Sequence, residues 1–162
     1  MAIVYTTNTL NLGTACNSLA NSITSVAQSD AITTSTTTNV ADTLVQIALA
    51  VGASSPNQNT NIYIYAFGSI DGTYLPGAAA STEVISNTAS VVTLSANSTN
   101  IKLLGAIYCH TASTTFTSEP MSIAAAFGGI VPKKWGIIVQ NQTGVALSAT
   151  GHSAKYTEVS YS

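Results

Sequence analysis

Two stretches of the chain repeat with a period of two, and that period sets the fold class. In "TLVQIALAV" (43–51), Val45, Ile47, Leu49 and Val51 fall on one side, with Gln46, Ala48 and Ala50 on the other. In "NIYIYAFGS" (61–69), Ile62, Ile64 and Ala66 oppose Tyr63, Tyr65 and Phe67. Successive side chains of a strand point to opposite faces, so both stretches read as strands with a buried aliphatic side. The second strand is also apolar on its aromatic side, which therefore needs cover as well.

Further strands follow from the same pattern in "SVVTLSA" (90–96), "IKLLGAIYCH" (101–110), "MSIAAAFGG" (121–129), "WGIIVQN" (135–141), "VALSAT" (145–150) and "AKYTEVSY" (154–161). Met121, Ile123, Ala125 and Phe127 share one face in this reading, as do Trp135, Ile137 and Val139. Gly, Pro, Asn and Ser cluster between the strands and mark turns. About eight strands without crossover helices predict an all-β chain, an antiparallel β-sandwich of jelly-roll type.

Residues 1–38 differ. They are rich in Thr, Ser, Asn and Ala and carry one charge, Asp30. They read as an extended N-terminal arm leading into a first strand near 22–28, with a short helix as the alternative. Residues 39–162 then form the sandwich domain. An arm of that kind should reach a neighbouring subunit, and removing residues 1–20 should weaken binding while leaving the domain folded.

Composition narrows the function. Only 6% of the 162 residues are charged, the net charge is −2 and there is no Arg. That leaves no basic footprint for nucleic acid or acidic lipid. Soluble domains carry about 25% charged residues. A chain so poor in charge has little protection against association, and a surface meant to be covered is the natural reading. The runs "LVQIALAVGA" and "MSIAAAFGGIVP" are too short for a spanning helix. The start "MAIVYTTNTL" has neither the basic nor the apolar part of a secretory signal. Cys16 and Cys109 read as buried thiols of a reducing compartment.

Chemical motifs are sparse. Asp71 in "GSIDGT" offers one carboxylate to a calcium ion that wants six to eight oxygens, so an Asp-Gly turn is the better reading. Cys109 and His110 are adjacent on a strand and point apart, so they form no dyad. His152 sits in a turn and is read as solvated. Asn97 and Asn141 match the glycosylation pattern, which says little beyond turn chemistry here. No catalytic residue, metal set or cofactor is expected, and the chain is read as not an enzyme. The candidate interface residues are Tyr63, Tyr65, Phe67, Lys133, Lys134 and Trp135. Three readings stay open for the aromatic row: a stacking platform for sugars, a subunit interface, or a face covered by the connection 74–90. For Trp135, core and interface both remain open.

The segments "IYIYAFGSIDGTYLP" and "IKLLGAIYCHTASTTFTSEPMSIAAAFGGIVPKKWGIIVQNQTGVALSATGHSAKY", with "NSLANS" more weakly, resemble small virion-associated proteins encoded among the head genes of tailed bacteriophages. The shared pattern is a Tyr-rich strand into a Ser-x-Asp-Gly-Thr turn, a "Leu-Pro-x-x-Trp-Gly" lead-in, an "Asn-Gln-Thr-Gly-x-Ala-Leu-Ser-Ala" hairpin and a terminal "Lys-Tyr" strand. Here Val131 replaces the Leu, and Lys stands where Arg is common. The resemblance spans roughly residues 40–161. It implies a virion structural protein on the capsid surface, a decoration or cement protein made in the host cytoplasm. Its partners would be the major capsid protein and itself, as a homo-oligomer with a trimer favoured; nucleic acid and membrane are not expected partners. A carbohydrate-binding module and a head-fibre or tail component are the alternatives.

Overall fold

The computed structural model describes residues 2–36, 38–70, 88–94 and 101–162. Among them lie eleven strands: β1 (Ile3–Leu10), β2 (Ser25–Gln28), β3 (Ile32–Thr33), β4 (Asn39–Ala50), β5 (Asn61–Ser69), β6 (Ser90–Thr93), β7 (Ile101–Tyr108), β8 (Thr115–Thr117), β9 (Met121–Ser122), β10 (Lys134–Asn141) and β11 (Ser153–Tyr161). One helical turn, α1 (Ile123–Ala126), joins β9 to the chain beyond it. The strands form two sheets with antiparallel neighbours throughout. One runs β1-β11-β4-β8 with β9 also on β4; the other runs β6-β2-β10-β5-β7 with β3 also on β10.

The expected alternation packs the two sheets together. Val45, Ile47 and Leu49 of β4 meet Ile62, Ile64 and Ala66 of β5 and Trp135, Ile137 and Val139 of β10 in one buried core. Each such large side chain contributes about 1.5–3 kcal/mol on burial. Trp135 is fully buried and packs edge-on against Tyr156 of the facing sheet, with ring centroids 5.4 Å apart.

The N-terminal segment departs from the free arm expected of it. β1 pairs with β11 over all eight residues without a register break. Leu10, Leu12, Ala15, Cys16 and Leu19 enter the same core as the residues of β4, β5 and β10. The loop beyond β1 is tied down by backbone bonds from Ser18 N to Ser148 O (2.8 Å) and from Leu147 N to Leu19 O (3.0 Å). Residues 1–38 and 39–162 therefore share one core. The Thr- and Ser-rich composition that suggested an arm is what an edge strand exposed on both faces looks like. The first strand expected near 22–28 is present as β2.

Two other segments differ from the period-two reading. "MSIAAAFGG" is a strand only at β9 and then turns into α1. Three consecutive alanines favour helix. The Ser122 hydroxyl caps the turn by accepting from Ala125 N (2.9 Å), and Asp42 of β4 accepts from Ala124 N (3.0 Å) and the Ser122 hydroxyl (2.7 Å). "VALSAT" makes no strand, only a bridge from Leu147 to Val51. Its backbone groups go instead to Leu19 and Ala50.

Candidate interaction surfaces

The outer face of the second sheet carries most of the residues singled out in the sequence. Phe67 stands opposite Gly136 and Ile101, Tyr65 opposite Ile138 and Leu103, and Tyr63 opposite Gln140 and Ala106. Phe67, Ile138 and Val26 are fully buried in a second cluster, with Ala31, Tyr65, Val92, Leu94 and Ile101 packed around it. Tyr63 and Tyr65 are half-buried, and Leu103 on the neighbouring strand is 58% exposed. The aromatic row thus grades from a buried end at Phe67 to a partly open one at Tyr63. The 74–90 connection, offered as its cover, lies almost wholly outside the described residues. Thr88 O does accept from Gln28 Nε2 (3.0 Å), and Ala89 N donates to Asp30 Oδ1 (2.6 Å). The Asp71 turn and Asn97 also lie outside them.

A polar chain fixes the open end. Tyr65 Oη donates to Gln140 Oε1 (3.2 Å), which also accepts from Gln142 Nε2 (2.7 Å), and Gln140 Nε2 donates to Ile23 O (2.7 Å). Burial, and then the neighbouring Tyr63, push the Tyr65 hydroxyl above its ordinary range, so it stays a donor.

Gly136 makes room for Phe67. A Cβ at Gly136 would run into the Phe67 ring, which lies across that position. We expect Gly136→Ala to cost about 1–3 kcal/mol through overpacking. In a Phe67→Leu background the added cost of the alanine should shrink, a coupling that urea denaturation of the double-mutant cycle reads directly. Simple additivity would mean that the ring does not set the constraint.

Lys133 is exposed and Lys134 half-buried at the start of β10. Lys134 shares the outer face with Phe67, since it pairs with Ser69. Trp135 points the other way, into the core, and is removed from the candidate interface set. Strand alternation within β10 separates it from the adjacent Lys134.

The remaining motifs resolve into structural roles. Cys109 is buried and His110 exposed, and both lie just beyond the end of β7 and not on the strand expected to carry them. Burial pushes the Cys16 thiol up to about 12 and that of Cys109 up to about 11, which leaves both protonated and poorly nucleophilic. His152 is not simply solvated. Its Nδ1 accepts from Ala50 N (3.3 Å), and its Nε2 lies 2.9 Å from Ser148 O, so the Nε2–H tautomer satisfies both contacts. Asn141 is fully buried, and its Nδ2 donates to Leu19 O (2.9 Å) and Val145 O (2.7 Å). Its Oδ1 accepts from Thr143 N and the Thr143 hydroxyl. Gly144 follows at φ +82°, where a Cβ would meet the Asn57 amide. The "NQTG" motif is therefore a structural clasp.

Two features lay outside the sequence reading. A groove of about 500 Å³ runs between β7 and the β8–β9 segment, floored by Ile107, Phe116 and Met121 and rimmed by Tyr108 and Glu119. The Tyr108 ring stacks on His110 at 5.4 Å, and His110 meets Phe116 edge-on. The second feature is the free side of β1, where Ile3 is 55% and Tyr5 65% exposed beside Tyr161 of β11. The signal for it was present in "IVYTTNTL", a β-branched and aromatic run without charge or proline.

Fold and surfaces together define a two-layer antiparallel β protein with broad apolar faces at its sheet edges. Among the described residues no three His, Cys, Asp or Glu side chains converge as a metal site would require, and no helix is long and apolar enough to cross a membrane. No protein-family model, curated protein or solved structure matches the chain.

Proposed function

We propose that this chain is a bacteriophage virion structural protein, a capsid decoration or cement protein that binds the assembled lattice of the major capsid protein and has no catalytic role. The observation that carries the reading is the surface: Ile3, Val4, Tyr5, Leu103, Tyr108 and Tyr161 are large apolar side chains left exposed on strands. They belong to a chain with only 6% charged residues. A protein that bridges capsomers works by burying such surface only where the lattice presents its partner, which stabilises the shell by mass action.

The finer architecture supports the same reading. We infer a jelly roll from the nesting of the strand pairs. β1 pairs with β11, β2 with β10, β4 with β8 and β9, and β5 with β7, as in one long hairpin rolled into two sheets. Jelly rolls are common in viral capsids and also in lectins. That kinship is an analogy of fold, and the resemblance of "WGIIVQNQTG" and its flanking segments to phage head-gene products is what turns it toward the virion.

Co-sedimentation with assembled shells tests the proposal. The protein should pellet with intact capsids, stay in solution with unassembled capsid subunits, and raise the temperature at which shells open. Equal affinity for free subunits, or none for shells, would overturn it. The groove beside Tyr108 favours a second reading as a carbohydrate site, because an exposed ring next to Glu119 suits a sugar face. Loss of a glycan-array signal in Tyr108→Ala would support that reading.

A further inference from the structure

Natural sheets protect their edges with charge, proline, bulges or short strands. Three of the four edges described here do so. β6 has four residues and β8 three. β7 carries Lys102, and its pairing with β5 shifts register between Ile64 and Tyr65. β1 has none of these devices. It is eight residues long, paired without irregularity to β11, and free of charge and proline. At about 3.4 Å per residue it presents roughly 27 Å of open edge.

The free backbone groups can be assigned. Ala2 and Ser162 exchange both hydrogen bonds, at 3.0 and 3.1 Å. In an antiparallel ladder such pairs alternate with pairs whose groups point away. Val4, Thr6, Asn8 and Leu10 therefore bond to β11, while Ile3, Tyr5, Thr7 and Thr9 direct their N–H and C=O outward. The 2.9 Å contact between the Thr7 and Thr157 hydroxyls agrees, because side chains approach closely at the outward-directed positions. The same outward-directed residues include Ile3 and Tyr5, which stand beside Tyr161 and Val159 on one face.

We propose that a second copy of this chain docks on β1, with the two β1 strands antiparallel across a twofold axis near Thr6. Ile3 then pairs with the partner copy's Thr9, and Tyr5 with its Thr7. Four residue pairs exchange two bonds each, joining the two first sheets into one continuous sheet. An isologous contact brings identical surfaces together, so any charge on the strand would approach its like; β1 carries none. Such a contact closes at two copies. A trimer would need β1 to meet a different edge, and the others described are short, bulged or charged. The inference stands apart from the virion reading, since it concerns the isolated protein.

Sedimentation of the full chain over a wide concentration range decides it. Thr7→Pro removes an outward N–H and leaves the β11 ladder intact. Tyr5→Lys keeps the backbone and places a charge on the edge. The wild type should sediment at twice its 16.5 kDa chain mass. Both variants should sediment as monomers with unchanged circular dichroism, and dimer affinity should fall roughly a hundredfold. If Thr7→Pro fails to fold, Tyr5→Lys carries the test. A wild type that is monomeric at every concentration or trimeric, or a dimer that survives Tyr5→Lys, would overturn the proposal. Capsid co-sedimentation is read separately, so either idea can fail alone.

Discussion

A chain lacking residues 1–20 is expected not to fold. The deletion removes β1 and with it Leu10, Leu12, Ala15, Cys16 and Leu19, all buried in the main core. Truncating a buried leucine costs about 2–5 kcal/mol. Three of them approach the whole stability of a typical domain, about 5–15 kcal/mol. The loss also strips β11 of its β1 ladder, leaving only its pairing with β4, and leaves Asn141 Nδ2 without Leu19 O. An amide NMR spectrum of the truncated chain should collapse into the narrow dispersion of an unfolded polypeptide. A dispersed, native-like spectrum would mean that this segment is an appendage after all. The practical consequence is that the proposed capsid binding must be probed in the N-terminal region with point substitutions such as Tyr5→Lys.

Trp135→Ala should be the most damaging single substitution, at about 3–5 kcal/mol. The indole is fully buried between the sheets, edge-on to Tyr156, and it is the only tryptophan of the chain. Its Nε1 is buried without a hydrogen-bond partner, so the residue contributes through packing and not through a polar contact. Trp135→Phe should therefore cost clearly less than Trp135→Ala, because it keeps an aromatic ring against Tyr156 and surrenders no bond. Urea denaturation followed by circular dichroism measures both. Wild-type tryptophan emission should be blue-shifted and move red on unfolding. Near-neutral Trp135→Ala with lost partner binding would return this residue to the interface set.

What could be read in the sequence followed from burial on one face. Val45, Ile47 and Leu49, Ile62 and Ile64, and Trp135, Ile137 and Val139 are held in place by the core, and their period of two survives in the structure. The aromatic side of β5 was legible as a face needing cover, and Phe67 with Ile138 and Val26 shows why. β1 could not be read from periodicity, because an edge strand exposed on both faces has no hydrophobic alternation to display, and only the β-branched and aromatic composition of "IVYTTNTL" pointed to it. Its register comes from β11, a strand some 150 residues away in the chain, as the contact between Thr7 and Thr157 makes plain. α1 was missed because its stop signal is tertiary: Asp42 of β4 captures Ala124 N and the Ser122 hydroxyl. In "VALSAT" the apolar pattern was real, since Leu147 is buried, but its backbone bonds are split between Leu19 in a loop and Ala50 at the end of β4, so no ladder forms. The lysine pair shows the same limit. Adjacent Lys134 and Trp135 look like one interface patch in sequence, and strand alternation puts them on opposite faces.

The proposal of a virion role meets its most direct test in purified phage particles, where it predicts that this protein is present and where its copy number is measured by quantitative mass spectrometry against the major capsid protein. A lattice-covering protein should be present in a fixed high ratio, near one per capsid subunit or one per symmetric lattice position. A handful of copies per particle would point to a fibre, vertex or tail component, and complete absence from particles would contradict the account.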